Sequence, residues 1–139
     1  MEKLDPYRLD EQVGYILRRV TQRHLAIFSD AIPQVTTTQF AVLARLSELG
    51  PQSQNQLGRE TSMDAATIKG VVDRLARQGL VVIKPDPEDR RRLTVGLSEA
   101  GRTLFSTTQA AATAVSLKTL EPLTQDERES LLRLLSKLC

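Results

Sequence analysis

Residues 53–101 read SQNQLGRETSMDAATIKGVVDRLARQGLVVIKPDPEDRRRLTVGLSEAG, and this stretch decides the fold. Ser53-x-x-Gln56 has the form of a capping box and opens a short helix to about Glu60. Thr61-Ser62-Met63 has room only for a turn. Asp64 is placed to cap the next helix, whose apolar residues Ile68, Val71, Val72 and Leu75 recur at helical spacing. Gly79 closes it as a left-handed residue, with Leu80 as the apolar contact that follows. The side-chain period then changes from helical to alternating. Val81-Val82-Ile83 is β-branched, and Leu93, Val95 and Leu97 alternate with Thr94 and Gly96. Pro85-Asp86-Pro87-Glu88-Asp89 between them is turn chemistry. Short helix, tight turn, longer helix and hairpin together make a winged helix-turn-helix.

Upstream, Leu9, Val13, Ile16, Val20, Ile27 and Ala31 form a stripe on one face of a helix over 9–32, which Pro33 stops. Thr36-x-x-Gln39 is a capping box opening a helix with Phe40, Leu43, Leu46 and Leu49, ended by Gly50-Pro51. Downstream, Ser98 caps a helix to about 119 carrying Leu104, Phe105, Ala112 and Val115. Pro122 breaks it, and Thr124-x-x-Glu127 opens a last helix. That helix and the residues after it carry Leu131, Leu132, Leu134, Leu135 and Leu138, more apolar surface than a lone winged domain covers, which is the mark of an interface. The expected architecture is mainly α, one domain over 1–139. A winged lobe at 33–99 carries a two-stranded β-wing, and N- and C-terminal dimerisation helices lie at 1–32 and 100–139.

Composition narrows the function. The chain has 139 residues, 40% hydrophobic and 26% charged, ordinary for a folded protein. Its longest aliphatic run, Leu80-Val81-Val82-Ile83, is far too short to cross a bilayer, and MEKLDPYRLDEQ has no signal-peptide core, so a cytoplasmic protein with no membrane partner is expected. One cysteine, Cys139, and one histidine, His24, exclude a disulfide framework and a protein-only zinc site within one subunit. They also leave little for histidine-based catalysis, so an enzyme is not expected, and no cofactor or metal is implied. The net charge of +2 is small, so any nucleic-acid surface must be local.

Two segments have that local chemistry. At the start of the second helix of the pair, Ala65 and Ala66 allow close approach to a groove, while Thr67 and Lys69 offer hydrogen bonds to base edges. Arg74 and Arg77 lie further along, where phosphates are expected. At the wing, Asp89-Arg90-Arg91-Arg92 places three guanidinium groups beside a turn, suited to the negative potential of a narrow minor groove. Asp89 is placed to fix one of them by a bidentate pair. The competing reading is a solvated loop whose acids, Asp86, Glu88 and Asp89, neutralise the arginines.

Val72-Asp73-Arg74-Leu75, Gln78-Gly79-Leu80-Val81, Asp89-x-Arg91 and Leu97-Ser98-x-x-Gly101 closely resemble the motifs of the MarR family of winged helix-turn-helix regulators, and the flanking helices extend the resemblance over nearly the whole chain. Ser98 stands where many members have threonine, which keeps the capping hydroxyl. The resemblance implies a homodimer intertwined through its terminal helices, with Asp89 orienting Arg91 into the minor groove and Arg90 and Arg92 beside it. A two-fold dimer sets two recognition helices about 34 Å apart on double-stranded DNA.

The resemblance also implies an effector. Arg18 and His24 on the first helix are similar in spacing to the pair that holds hydroxybenzoate-like ligands in some members. YRLDEQVGYILRRVTQRHLAIF looks like the branch sensing aromatic acids or their CoA thioesters, and Arg18, Arg19 and Arg23 suit a phosphate-bearing ligand. An apolar pocket of Phe28 and leucines is expected around the ring. The competing reading of His24 is a hydrogen-bonded core histidine. Cysteine-based peroxide sensing lacks its residue, since the first helix has no cysteine. The expected function is a repressor of a pseudo-palindromic operator, released by such a ligand. The alternative is a winged-helix protein-interaction module, which the wing arginines oppose and which would lack steep salt dependence of DNA binding.

Overall fold

The computed structural model describes residues 5–139, so the first four residues of the N-terminal segment lie outside it. Six helices and three strands follow in order: α1 Val13–Ala31, α2 Thr37–Leu49, β1 Gln52–Ser53, α3 Gln54–Glu60, α4 Ala65–Arg77, β2 Val81–Pro85, β3 Leu93–Leu97, α5 Glu99–Thr119 and α6 Gln125–Ser136. None of the helices among the described residues is long and apolar enough to cross a membrane.

The ends are set by local chemistry. Thr36 and Thr124 complete reciprocal capping boxes with Gln39 and Glu127. Ser53 caps α3 in one direction only: its hydroxyl accepts from the Gln56 N–H at 3.2 Å. The Gln56 amide turns instead to Glu60 and Arg59, a turn further along. The expected helix over 9–32 is divided, because Gln12 is extended and separates a 3-10 turn, Leu9–Glu11, from α1. At the other end Ile32 leaves the helical region, as a residue before proline must. It is fully buried. Gly79 sits at φ +74, and Leu80 N–H donates to Leu75 O at 3.0 Å in a Schellman closure of α4.

The core of the winged lobe is built from Val42, Leu43 and Leu46 of α2, Leu57 of α3, the apolar face of α4, and Val81 and Val95 of the sheet. Phe28, Ile32 and Val115 join it from the flanking segments. The sheet has three strands rather than two, in the order β1-β3-β2 and antiparallel throughout. Gln52 and Ser53 pair with Val95 and Thr94, which ties the base of the wing to the end of α2. Along α1, Phe28 is the buried residue, and the stripe through Val13, Ile16 and Val20 lies exposed on a single chain. α6 has no buried residue.

Candidate nucleic-acid interface and an aromatic cleft

α4 is presented by the turn before it. Ser62 adopts φ 57, and Met63 N–H returns to Gly58 O at 2.8 Å, which brings α4 across α3. Asp64 then caps α4, accepting from the Thr67 N–H at 2.7 Å. That bond, with the Thr67 hydroxyl, holds the Asp64 carboxyl below the usual carboxylate range. Ala65, Ala66, Thr67 and Lys69 are all exposed, whereas Ile68 and Val71 of the same helix are buried. Lys69 is engaged with Asp73 at 3.0 Å, one turn on, in an exposed ion pair. Arg74 and Arg77 are exposed and have no carboxylate partner among the described residues.

The wing tip is organised by its own backbone. Asp86 N–H donates to Arg92 O at 2.8 Å and Arg92 N–H to Asp89 O at 2.9 Å. Asp89 Oδ1 accepts both the Arg91 backbone N–H, at 3.1 Å, and Arg91 Nε–H, at 3.2 Å. The expected bidentate pair is therefore a one-oxygen clasp, because residues two apart on a tight turn bring Nε, not the outer fork, to the carboxylate. Both Nη groups of Arg91 stay outward, on a side chain 92% exposed. The Arg91 side chain and then its backbone N–H hold the Asp89 carboxyl below its ordinary value of 3.8. A depressed carboxylate keeps its partner above that value and loses it only as the pH falls further, so the clasp is intact near neutrality. Among the other acids, Asp86 is turned to the Glu88 N–H, and no ion pair joins a carboxylate to Arg90 or Arg92 among the described residues.

A second feature lies where α1 and α5 meet α2. A cleft of about 390 Å³ is lined by His24 and Phe28 of α1, Phe40 of α2, and Phe105, Thr113 and Ser116 of α5, among others. The three phenylalanines form a continuous wall. Phe28 meets Phe40 edge-on at 5.8 Å, and Phe40 is tilted against Phe105 at 5.4 Å. The lining holds alanines where leucines were expected. Phe40 and Phe105 each read in sequence as a core residue of their own helix, and tertiary packing is what brings them to the cleft.

His24 is half-buried at the cleft, and its Nδ1 is 2.8 Å from the Thr119 hydroxyl. Beside it the Arg23 guanidinium donates to Thr119 O at 2.7 Å and Lys118 O at 3.0 Å, capping the C-terminus of α5. Arg19 lies over the Tyr15 ring, 5.9 Å from its centroid. Arg18 is exposed and does not line the cleft. Six residues from His24, it stands about 120° round the helix. The structure thus brings His24 and Phe28 together and leaves Arg18 apart within one chain.

Comparison with known proteins agrees with this geometry. The MarR family model matches residues 35–93, from just before α2 to the start of β3. The HTH-type transcriptional repressor NicR of Pseudomonas putida is 42% identical over 135 residues, 96% of this chain and 85% of that protein. A probable transcriptional regulator from Pseudomonas aeruginosa superposes with a TM-score of 0.92 at 51% identity, over 95% of this chain and 100% of the other. Bordetella bronchiseptica BpsR, whose DNA binding is regulated by 6-hydroxynicotinic acid, superposes with a TM-score of 0.91 at 38% identity, over 96% and 97% of the two chains. The fold, the sequence motifs and these relatives together establish that the chain belongs to the MarR family of winged helix-turn-helix transcriptional regulators.

Proposed function

We propose that this protein is a repressor that grips a pseudo-palindromic operator as a homodimer and is released by a small aromatic acid bound in the cleft. The observation that carries the reading is the phenylalanine wall beside His24, at the joint between the flanking helices and the winged lobe. A ligand there touches both parts and can bias their relative set. The winged lobe at 33–99 reads DNA in this proposal, and the helices on either side join the subunits. Support for the joining comes from the exposed stripe of α1 and from Leu132, Leu134 and Leu138, apolar surface that a second copy would cover. A free acid is favoured over a CoA thioester. The cleft has the volume of a small-ligand site, and two of the arginines that would meet phosphates, Arg19 and Arg23, are already engaged. If Arg18 holds the carboxylate, it does so from the second subunit. Over nearly the whole chain, similarity to NicR, a transcriptional repressor, supports repression, and similarity to BpsR, whose DNA binding is regulated by 6-hydroxynicotinic acid, supports an aromatic-acid effector.

The test is release of labelled operator by a panel of aromatic acids including 6-hydroxynicotinic acid, followed by fluorescence anisotropy. His24→Ala and Arg18→Ala are expected to bind operator like the parent and to need about tenfold more acid for half-release, the worth of one hydrogen bond to a charged group. If no acid releases the operator, or if both variants respond normally, the reading is wrong.

On the DNA side, Lys69 must leave Asp73 to reach a base, at a cost of only about 0.3–0.5 kcal/mol for an exposed pair of this kind. Lys69→Ala is therefore expected to change which operator positions tolerate substitution. Arg77→Ala should instead weaken all sequences alike and lower the salt slope by about one, as loss of a phosphate contact does. The reverse pattern would show that α4 docks at another angle.

A further inference from the structure

We infer that Thr119 fixes the tautomer of His24 and so makes the cleft select ligands that present an oxygen, not an N–H, to the imidazole. The inference rests on the effector reading of the cleft. Thr119 is the last residue of α5, and its hydroxyl has an unusual partner for that helix. Thr107, Thr108 and Thr113 each donate to a carbonyl three or four residues back. The Thr119 hydroxyl instead meets His24 Nδ1 at 2.8 Å. Its position is held from the other side, since Arg23 ties the Thr119 and Lys118 carbonyls to α1.

A hydroxyl carries one proton to place. If Nδ1 bore a hydrogen and donated to Thr119, the hydroxyl proton would have no acceptor among the described residues and would turn to solvent, a looser arrangement than the hydroxyl donating to the ring. With the hydroxyl donating to a bare Nδ1, both atoms of that contact are matched, and the ring hydrogen of neutral His24 sits on Nε2. Thr119 is not among the residues lining the cleft, whereas His24 is, so Nε2 is the nitrogen left for a ligand. Nε2–H is a donor. A carboxylate, phenolate or ring carbonyl oxygen satisfies it, while an amine or amide N–H sets donor against donor and leaves both unpaired. The cleft's other polar side chains, Thr37, Gln109, Thr113 and Ser116, are uncharged and carry hydroxyl or amide groups, so the Nε2–H of His24 is the ring donor on which this preference rests.

His24 is the only histidine in the chain, so its imidazole nitrogen and carbon NMR signals are read without assignment ambiguity. At alkaline pH the parent is expected to show the Nε2–H tautomer. Thr119→Val, which keeps the shape and removes the hydroxyl, should give a mixture of tautomers. It should also raise the 6-hydroxynicotinic acid concentration for half-release about fivefold, the worth of one neutral hydrogen bond. Thr119→Ser should restore both, and operator affinity should not change in either variant. A parent ring in the Nδ1–H form, or a Thr119→Val protein with unchanged tautomer and release, overturns the inference. His24→Ala separates the two levels. If it responds normally, this inference falls, and the cleft reading falls with it if Arg18→Ala also responds normally; if it is blunted while Thr119→Val responds normally, the role of Thr119 alone is refuted.

Discussion

Replacing Gly101 with alanine is expected to destabilise the fold by about 3 kcal/mol, while the same change at Gly70 stabilises it by about 0.5–1 kcal/mol. Helix propensity alone predicts a gain at both, since both are glycines inside helices. Packing reverses the sign at one of them. A Cβ on Gly101 would overlap the Leu80 carbonyl oxygen and stand 3.0 Å from its carbon, whereas a Cβ on Gly70 meets nothing within 4 Å. The Leu80 carbonyl has little freedom to turn away. It accepts the Ser98 N–H at 3.1 Å, and Leu80's own N–H is bound to Leu75 O at 3.0 Å. Ser98 adds a relay, donating its hydroxyl to Gly79 O at 2.6 Å and accepting from the Gly101 N–H at 3.0 Å. The start of α5 is thus seated directly on the closure of α4. Lifting it to admit a methyl group breaks several of these bonds at once. Urea denaturation of the two variants is the check, and a Gly101→Ala protein as stable as its parent would mean that α5 can ride up without loss. α5 also carries Phe105 and Thr119, so a shifted seat should alter the ligand response as well.

What was legible in the sequence follows from how local each signal is. Asp64, Ser98, Thr36 and Thr124 cap their helices through side chains that reach only three residues ahead, and Gly79 needs only its own backbone freedom. Such features can be read in order along the chain. β1 could not be, because Gln52 and Ser53 carry no strand pattern and become a strand by pairing with β3, distant in sequence. The wing's charge is plain in Asp89-Arg90-Arg91-Arg92, but the single-oxygen clasp depends on turn geometry that composition does not reveal. The cleft divides the same way. His24 and Phe28, four apart on one helix, announce a shared face. Phe40 and Phe105 reach that face from two other helices, so only tertiary structure joins them to it. Arg18 is the converse case: motif spacing links it to His24, while the helical angle sets the two apart within one chain.

Arg91→Ala is expected to weaken operator binding by about 1–3 kcal/mol, with no change in oligomeric state or melting temperature. The side chain is 92% exposed and its only partner among the described residues is Asp89, so the folded chain loses little when it is removed. What is lost lies outside the molecule. The clasp fixes Arg91 at Nε and leaves both Nη groups outward, so part of the side-chain ordering cost of binding is already met before DNA arrives. Asp89→Ala should therefore weaken binding less than Arg91→Ala, because the guanidinium remains and only its orientation is lost. Arg91→Lys should keep the charge yet recover only part of the affinity, since an ammonium lacks the planar fork. Arg90 and Arg92, without carboxylate partners among the described residues, are expected to act as diffuse charge. Their removal should reduce the salt dependence and change sequence preference little. The ordering Arg91 > Asp89 in cost, measured by anisotropy at several salt concentrations, is the decisive outcome. Equal binding by the parent and Arg91→Ala proteins would remove the wing from the DNA interface and leave α4 to read the operator alone.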